Sequence, residues 1–157
     1  MKNLGKCQGN VNEVIMDITS FLKTGIFKDL SVGMSYSNFQ KLKQFKHSSK
    51  WLYDDDNIES GFSIFWKGLE IGFKDEAIYL LSIDPYFKGV TIAKKYKINR
   101  ELTIEKFVKY LFLADIKWKF VSREEWEHEC EIKTEGEVSI IFTFELDGVR
   151  ISKFSVS

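Results

Sequence analysis

Trp126-Glu127-His128-Glu129-Cys130-Glu131-Ile132-Lys133-Thr134-Glu135-Gly136-Glu137-Val138-Ser139-Ile140-Ile141-Phe142-Thr143-Phe144-Glu145-Leu146-Asp147-Gly148-Val149-Arg150-Ile151 is the stretch whose reading decides the fold. Taken two residues at a time it separates into two faces. Trp126, His128, Cys130 and Ile132 alternate with Glu125, Glu127, Glu129 and Glu131, the period of a half-buried strand. Val138, Ile140, Phe142 and Phe144 repeat the pattern, and Asp147-Gly148 is a two-residue turn signal leading into Val149 and Ile151. The spacing predicts a meander with one buried and one wet face.

The register follows from keeping like residues together. A two-residue turn at Glu135-Gly136 would set Ile132 against Ser139 and mix the faces. A three-residue loop with Gly136 left-handed pairs Ile132 with Val138, Cys130 with Ile140 and His128 with Phe142. A turn at Asp147-Gly148 then sets Phe144 beside Ile151 on the buried face and Glu145 beside Arg150 on the other.

Working outward, 157 residues suit a single domain spanning 1–157. Fourteen Phe, six Tyr and four Trp promise an aromatic core, and one Pro with ten Gly leaves little room for disorder. The 23 basic and 23 acidic residues balance, which argues against a direct nucleic-acid partner. The balance hides a segregation. Lys88 to Lys119 holds nine Lys/Arg against three Asp/Glu, whereas Phe120 to Glu137 holds two against seven. Cys7 and Cys130 fit neither a metal pattern nor a disulfide framework. The start, Met1-Lys2-Asn3-Leu4-Gly5-Lys6, lacks the apolar core of a signal peptide, and no apolar run is long enough to span a membrane. The expectation is a reducing cytoplasm with both thiols free.

Along the chain, the first ten residues read as loose. Val14, Ile15, Ile18, Phe21 and Leu22 recur at helical spacing up to a stop at Gly25, predicting a helix over Val11 to Lys23. Ser35 is a candidate N-cap for a second helix bearing Tyr36, Phe39 and Leu42, with Lys41, Lys43 and Lys46 outward. The period then becomes two. Trp51-Leu52-Tyr53 forms a short strand before the acidic turn Asp54-Asp55-Asp56-Asn57. Phe62, Ile64 and Trp66, then Leu69, Ile71 and Phe73, are joined by a tight turn at Lys67-Gly68. Lys74-Asp75-Glu76 turns into Ala77 to Ile83, which is apolar on both faces and so central, and Asp84-Pro85 ends it. A short strand is expected near Val90-Thr91-Ile92. Thr103 caps a third helix with Ile104, Phe107, Val108, Leu111 and Phe112 on one face, and Ile116, Trp118 and Phe120 lead into the meander. This order predicts an α+β fold: an antiparallel sheet of meander hairpins with about three helices packed on one face.

No catalytic constellation and no cofactor or metal signature emerges. His128 and Cys130 share a strand face, but their apolar neighbours fit a hydrogen-bonded core histidine beside a buried thiol rather than a metal site or a nucleophile pair. The Asp54-Asp55-Asp56 run lacks the alternation, central Gly and terminal Glu of a calcium loop. The ladder Glu125, Glu127, Glu129 and Glu131 carries the sharpest functional reading. Like charges along one strand face repel unless a partner or nearby lysines offset them, although acids on an open sheet face also serve solubility.

Ile18, Phe21, Leu22 and Gly25, then Leu30-Ser31-Val32-Gly33-Met34-Ser35 with Phe39 and Leu42, form one group of motifs. Ile64-Phe65-Trp66-Lys67-Gly68-Leu69-Glu70-Ile71-Gly72-Phe73 and Tyr79-Leu80-Leu81-Ser82-Ile83-Asp84 form another. Over Asn12 to Asp84 the chain resembles small bacterial proteins that accompany polymorphic or contact-dependent growth inhibition toxins. That resemblance implies immunity: binding a cognate toxin C-terminal domain in the cytoplasm without enzymatic activity of its own. An acidic surface suits a nuclease toxin, whose substrate cleft is basic. The expected toxin-binding residues are Glu125, Glu127, Glu129 and Glu131, followed by Asp54, Asp55, Asp56 and Glu59. The alternative is a small-ligand-binding or enzymatic domain with a pocket between helices and sheet.

Overall fold

The period-two stretches become strands of one large sheet. In the computed structural model, which describes residues 15–54, 60–121 and 128–157, the chain opens with β1 (Met16–Asp17), α1 (Thr19–Thr24), α2 (Tyr36–Phe39) and a 3-10 turn at Lys43–Phe45. A first meander follows: β2 (Ser49–Leu52), β3 (Phe62–Trp66), β4 (Leu69–Lys74) and β5 (Ala77–Ile83). Then come β6 (Val90–Ile92), β7 (Tyr96–Lys97) and α3 (Ile104–Leu113), and a second meander: β8 (Trp118–Val121), β9 (Glu129–Thr134), β10 (Ser139–Glu145) and β11 (Gly148–Val156). The two meanders join through their last strands, giving eight strands in the order β2-β3-β4-β5-β11-β10-β9-β8, all neighbours antiparallel. β1, β6 and β7 make a small separate sheet in which β1 runs parallel to β6. The fold is α+β, with the sheet dominant.

One face of the large sheet carries the core. Cross-strand partners point to the same side, so Phe62, Phe73 and Ile78 form one row, and Ile64, Ile71 and Leu81 form another. Ile83, Phe154, Ile140 and Ile132 line up across the joint between the meanders. All of these are buried. The three helices pack on this face. Phe39 and Tyr36 of α2 reach Phe73, each with ring centroids 5.2 Å apart. Phe107 of α3 lies 5.5 Å from Phe142 and 5.9 Å from Phe154. Phe21 and Leu22 of α1 are buried in the same cluster. Each such ring pair adds about 0.5–1.5 kcal/mol beyond the area it buries.

Two bulges keep the core face apolar where simple alternation would fail. Ile151 and Phe154 are three residues apart, yet both face inward because the pairing shifts between Ile141↔Lys153 and Phe142↔Ile151. Ser152 is the extra residue, and its hydroxyl donates to the Ile141 carbonyl at 3.2 Å. Between Gly72↔Leu80 and Phe73↔Ile78, Tyr79 is left over in the same way.

Several expectations hold. Ser35 and Thr103 cap their helices, accepting from the amides of Asn38 and Lys106. Gly25 ends α1 with φ 71°. β5 lies fourth in the order of eight, the central place expected for a strand apolar on both faces. Phe107 and Leu111 are buried on α3, whereas Phe112, placed on the same face by periodicity, is 79% exposed.

Others are corrected. The helix expected over Val11 to Lys23 begins at Thr19 within the described residues, residues 11–14 lying outside them. Met16 and Asp17 are drawn instead into pairing with Val90 and Thr91, through Met16 N–H to the Gly89 carbonyl and Ile18 N–H to the Thr91 carbonyl. The second helix stops at Phe39, and Leu42 precedes the 3-10 turn. In the terminal meander Ile132 pairs with Ile140 and Cys130 with Phe142, two residues from the expected register. Four residues, Glu135 to Val138, connect β9 to β10, and Glu137 (φ 59°), not Gly136, is the left-handed one. The next turn is Leu146-Asp147, so Phe144 sits beside Val149 and is 46% exposed. Arg150 nonetheless reaches Glu145 at 3.2 Å, and Asp147 as well.

Candidate functional site

The face of the sheet opposite the helices holds the chemistry that remains. Glu70, Ser82, Ser155, Ser139, Lys133 and Lys119 stand side by side across six strands, a polar row with three serines at its middle.

At the β2–β5 end the larger residues are aromatic. Trp51 lies opposite Ser63, and Phe65 lies opposite Glu70, so all four project from this face. Trp51 is 67% exposed, Tyr53 45%, Phe65 40% and Tyr79 38%. Tyr53 and Tyr79 meet edge to face at 6.4 Å, with their hydroxyls 2.8 Å apart. The Tyr53 hydroxyl is also 2.8 Å from Ser63 Oγ, which donates to Glu70 Oε1 at 2.7 Å. A continuous hydrogen-bonded chain therefore runs Tyr79–Tyr53–Ser63–Glu70. Partial desolvation, the bond to Tyr53 and the nearby charges push the Tyr79 phenol up to about 12, so it stays a neutral donor. Gly72 makes room for this arrangement: a Cβ there would lie 2.8 Å from the Tyr79 ring and 3.1 Å from the Tyr53 hydroxyl.

The β8–β9 end differs from its sequence reading. Glu129 is half-buried and Glu131 is only 3% exposed, although both keep the phase opposite to Cys130 and Ile132. Glu131 lies opposite Ile141, and its Oε1 accepts the Ser139 hydroxyl at 2.6 Å. It is an internal polar anchor rather than part of a solvated ladder. Lys119 and Lys133 face each other on the same side, so this region is not uniformly acidic. Glu125 and Glu127 lie outside the described residues, as do Asp55, Asp56 and Glu59. Asp54 is exposed and directly follows Tyr53.

His128, expected in the core, is exposed in the turn before β9. Its carbonyl accepts the Phe144 amide at 2.8 Å. Cys130 is half-buried, and burial pushes its thiol up from the ordinary value, which opposes nucleophile activation. Cys7 lies outside the described residues. Among the described residues no group of three or more His, Cys, Asp or Glu side chains could hold a metal ion. No helix among them is long and apolar enough to cross a membrane.

On the helix-covered side a cavity of about 440 Å³ opens between α2 and the sheet. Tyr36, Phe62 and Phe73 line it, with Lys50, Asp75 and Glu76 at its polar edge. Lys50 already lies 4.0 Å from the Phe62 ring centroid.

Sequence reasoning missed the aromatic group on the open face. Its signal was present as large rings out of phase with the core: Phe65 between Ile64 and Trp66, and Tyr79 in a run apolar on both sides. Reading them as a group requires knowing that β2, β3, β4 and β5 are adjacent. No protein-family model, curated protein or solved structure matches the chain.

Proposed function

We propose that this chain is a non-enzymatic immunity protein that binds a cognate toxin domain in the cytoplasm and blocks it, the toxin being a nuclease. The observation that carries the reading is the group of exposed rings, Trp51, Tyr53, Phe65 and Tyr79, on the sheet face opposite the helices. Large aromatic side chains held by a hydrogen-bonded scaffold are the usual anchors of protein interfaces. Asp54, exposed and directly after Tyr53, adds negative charge next to those anchors, suited to the basic cleft of a nuclease. Glu125, Glu127, Glu129, Asp54, Asp55, Asp56 and Glu59 are the candidate toxin contacts, whereas Glu131 is buried against Ser139 and is not available to a partner.

The cavity between α2 and the sheet favours a second reading, a small-ligand-binding or enzymatic domain. Co-expression with candidate toxin C-terminal domains taken from neighbouring reading frames separates the two. Growth rescue and co-purification as a stable complex are the expected results. An intact, folded chain that neither rescues growth nor co-purifies would overturn the immunity reading.

A further inference from the structure

We propose that Glu70 and the rings of Trp51, Tyr53, Phe65 and Tyr79 form a receptor for an arginine side chain presented by a basic protein partner. The proposal rests on the preceding reading only in taking the partner to be a protein.

The first observation is how rings and cations are distributed. On the helix-covered side and in the loops the chain supplies its own cations to its rings. Lys28 and Lys67 lie 4.9 and 5.0 Å from Trp66, and Lys50 lies 4.0 Å from Phe62. Lys95 lies 5.4 Å from Tyr96, and the Arg100 guanidinium 5.5 Å from Tyr86. Among the described residues, the exposed rings of Trp51, Tyr53, Phe65 and Tyr79 have no such cation, and of the exposed rings that lack one these are the group gathered around a carboxylate. The negative face of an exposed ring attracts a cation supplied from outside.

The second observation is the carboxylate among them. Glu70 is half-buried directly opposite Phe65, and its Oε1 is held by Ser63, which is itself 2% exposed. The Ser63 hydroxyl takes its place in the Tyr79–Tyr53–Ser63–Glu70 chain, so the carboxylate is fixed before any partner arrives. A preset carboxylate beside flat aromatic faces matches a guanidinium. That group stacks on rings, donates in its own plane, and loses less hydration than an ammonium on leaving water. The hydroxyl row Ser82, Ser155 and Ser139 continues from Glu70 across the sheet on the same face.

The test is a titration of isotope-labelled protein with acetyl-Gly-Arg-Gly-amide, followed by nuclear magnetic resonance. The control probe is the same peptide with citrulline, which keeps the shape and removes the charge. The expected result is saturable movement of the Trp51 indole N–H and of the Phe65, Glu70 and Tyr79 amides with the arginine peptide alone. Glu70→Gln, which still offers an oxygen to Ser63, should weaken that binding roughly tenfold or more. Trp51→Ala, on a strand exposed throughout, should weaken it with the spectrum elsewhere unchanged. Equal response to both peptides, movement confined to other residues, or an unaltered Glu70→Gln titration would overturn the proposal. So would concentration-dependent shifts of the same residues without peptide, which would mean that a second copy of the chain covers the face. Peptide binding without toxin neutralisation would fail the immunity reading alone. Toxin neutralisation by Glu70→Gln at wild-type potency, with no peptide binding by wild type, would fail this inference alone.

Discussion

Gly136→Ala should destabilise the protein for a reason that has nothing to do with backbone handedness at that residue. An added Cβ would lie 2.5 Å from the Gly25 nitrogen, 2.6 Å from the Thr24 nitrogen and 2.8 Å from the Leu22 carbonyl oxygen. All three atoms are backbone at the end of α1, so no side chain can swing aside. Reaching an ordinary 3.4 Å contact requires the loop to retreat by roughly 0.9 Å, which breaks the Gly136 N–H bond to the Leu22 carbonyl, now 3.2 Å. Overpacking of this kind costs about 1–3 kcal/mol, and the lost hydrogen bond about 0.5–1.5 kcal/mol. The stiffer unfolded chain returns about 0.4–1 kcal/mol. The net loss is about 2 kcal/mol, a fall of about 4–8 °C in Tm for a chain of this length. Urea unfolding with linear extrapolation measures it. Two companions isolate the cause. Gly33→Ala, at φ +87° with nothing within 4 Å of the new Cβ, carries conformational strain alone and should cost less. Glu137→Gly relieves the residue that does adopt the left-handed conformation. Its exposed contact to Lys133 is worth little, so this change should be neutral or mildly stabilising. A Gly136→Ala variant within about 0.5 kcal/mol of wild type, the error of such comparisons, would refute the steric argument. So would a Gly33→Ala variant equally damaged.

Two further outcomes are expected. Ala93 adopts φ 53° in the turn between β6 and β7, where its amide donates to the Thr19 hydroxyl at 2.6 Å and Asp17 accepts from the next amide. Ala93→Gly keeps those bonds and removes the Cβ clash, so it should raise stability by about 0.5–1 kcal/mol in urea unfolding; a loss would refute the strain. For Tyr79, the folded phenol is raised to about 12 from 10.0, so ionisation favours the unfolded chain. Its contribution is full below pH 10 and is lost as pH rises toward 12. The stability advantage of wild type over Tyr79→Phe should therefore shrink between pH 10 and 12, as read from unfolding midpoints; parallel profiles would refute the shift.

Alternation by itself determined which side of β9 and β10 faces the core: Ile132, Ile140 and Phe142 are buried as their spacing requires. The caps at Ser35 and Thr103 and the central place of Ala77 to Ile83 were also local or compositional signals, legible without a partner strand. Register was not. A slip of two residues leaves every side chain on its face, so the pattern could not distinguish Ile132 beside Val138 from Ile132 beside Ile140. Contact with α1 fixed the choice, because Gly136 is needed where the loop touches Gly25 and Leu22. Long-range pairing likewise pulled Met16 and Asp17 out of a helical pattern and onto Val90 and Thr91. The candidate site was the least legible part. Glu131 alternates like a solvated acid, yet Ser139 and the sheet around it bury its carboxylate. Trp51, Tyr53, Phe65, Glu70 and Tyr79 become one surface only when four strands are laid side by side, since no periodicity within a strand encodes its neighbours.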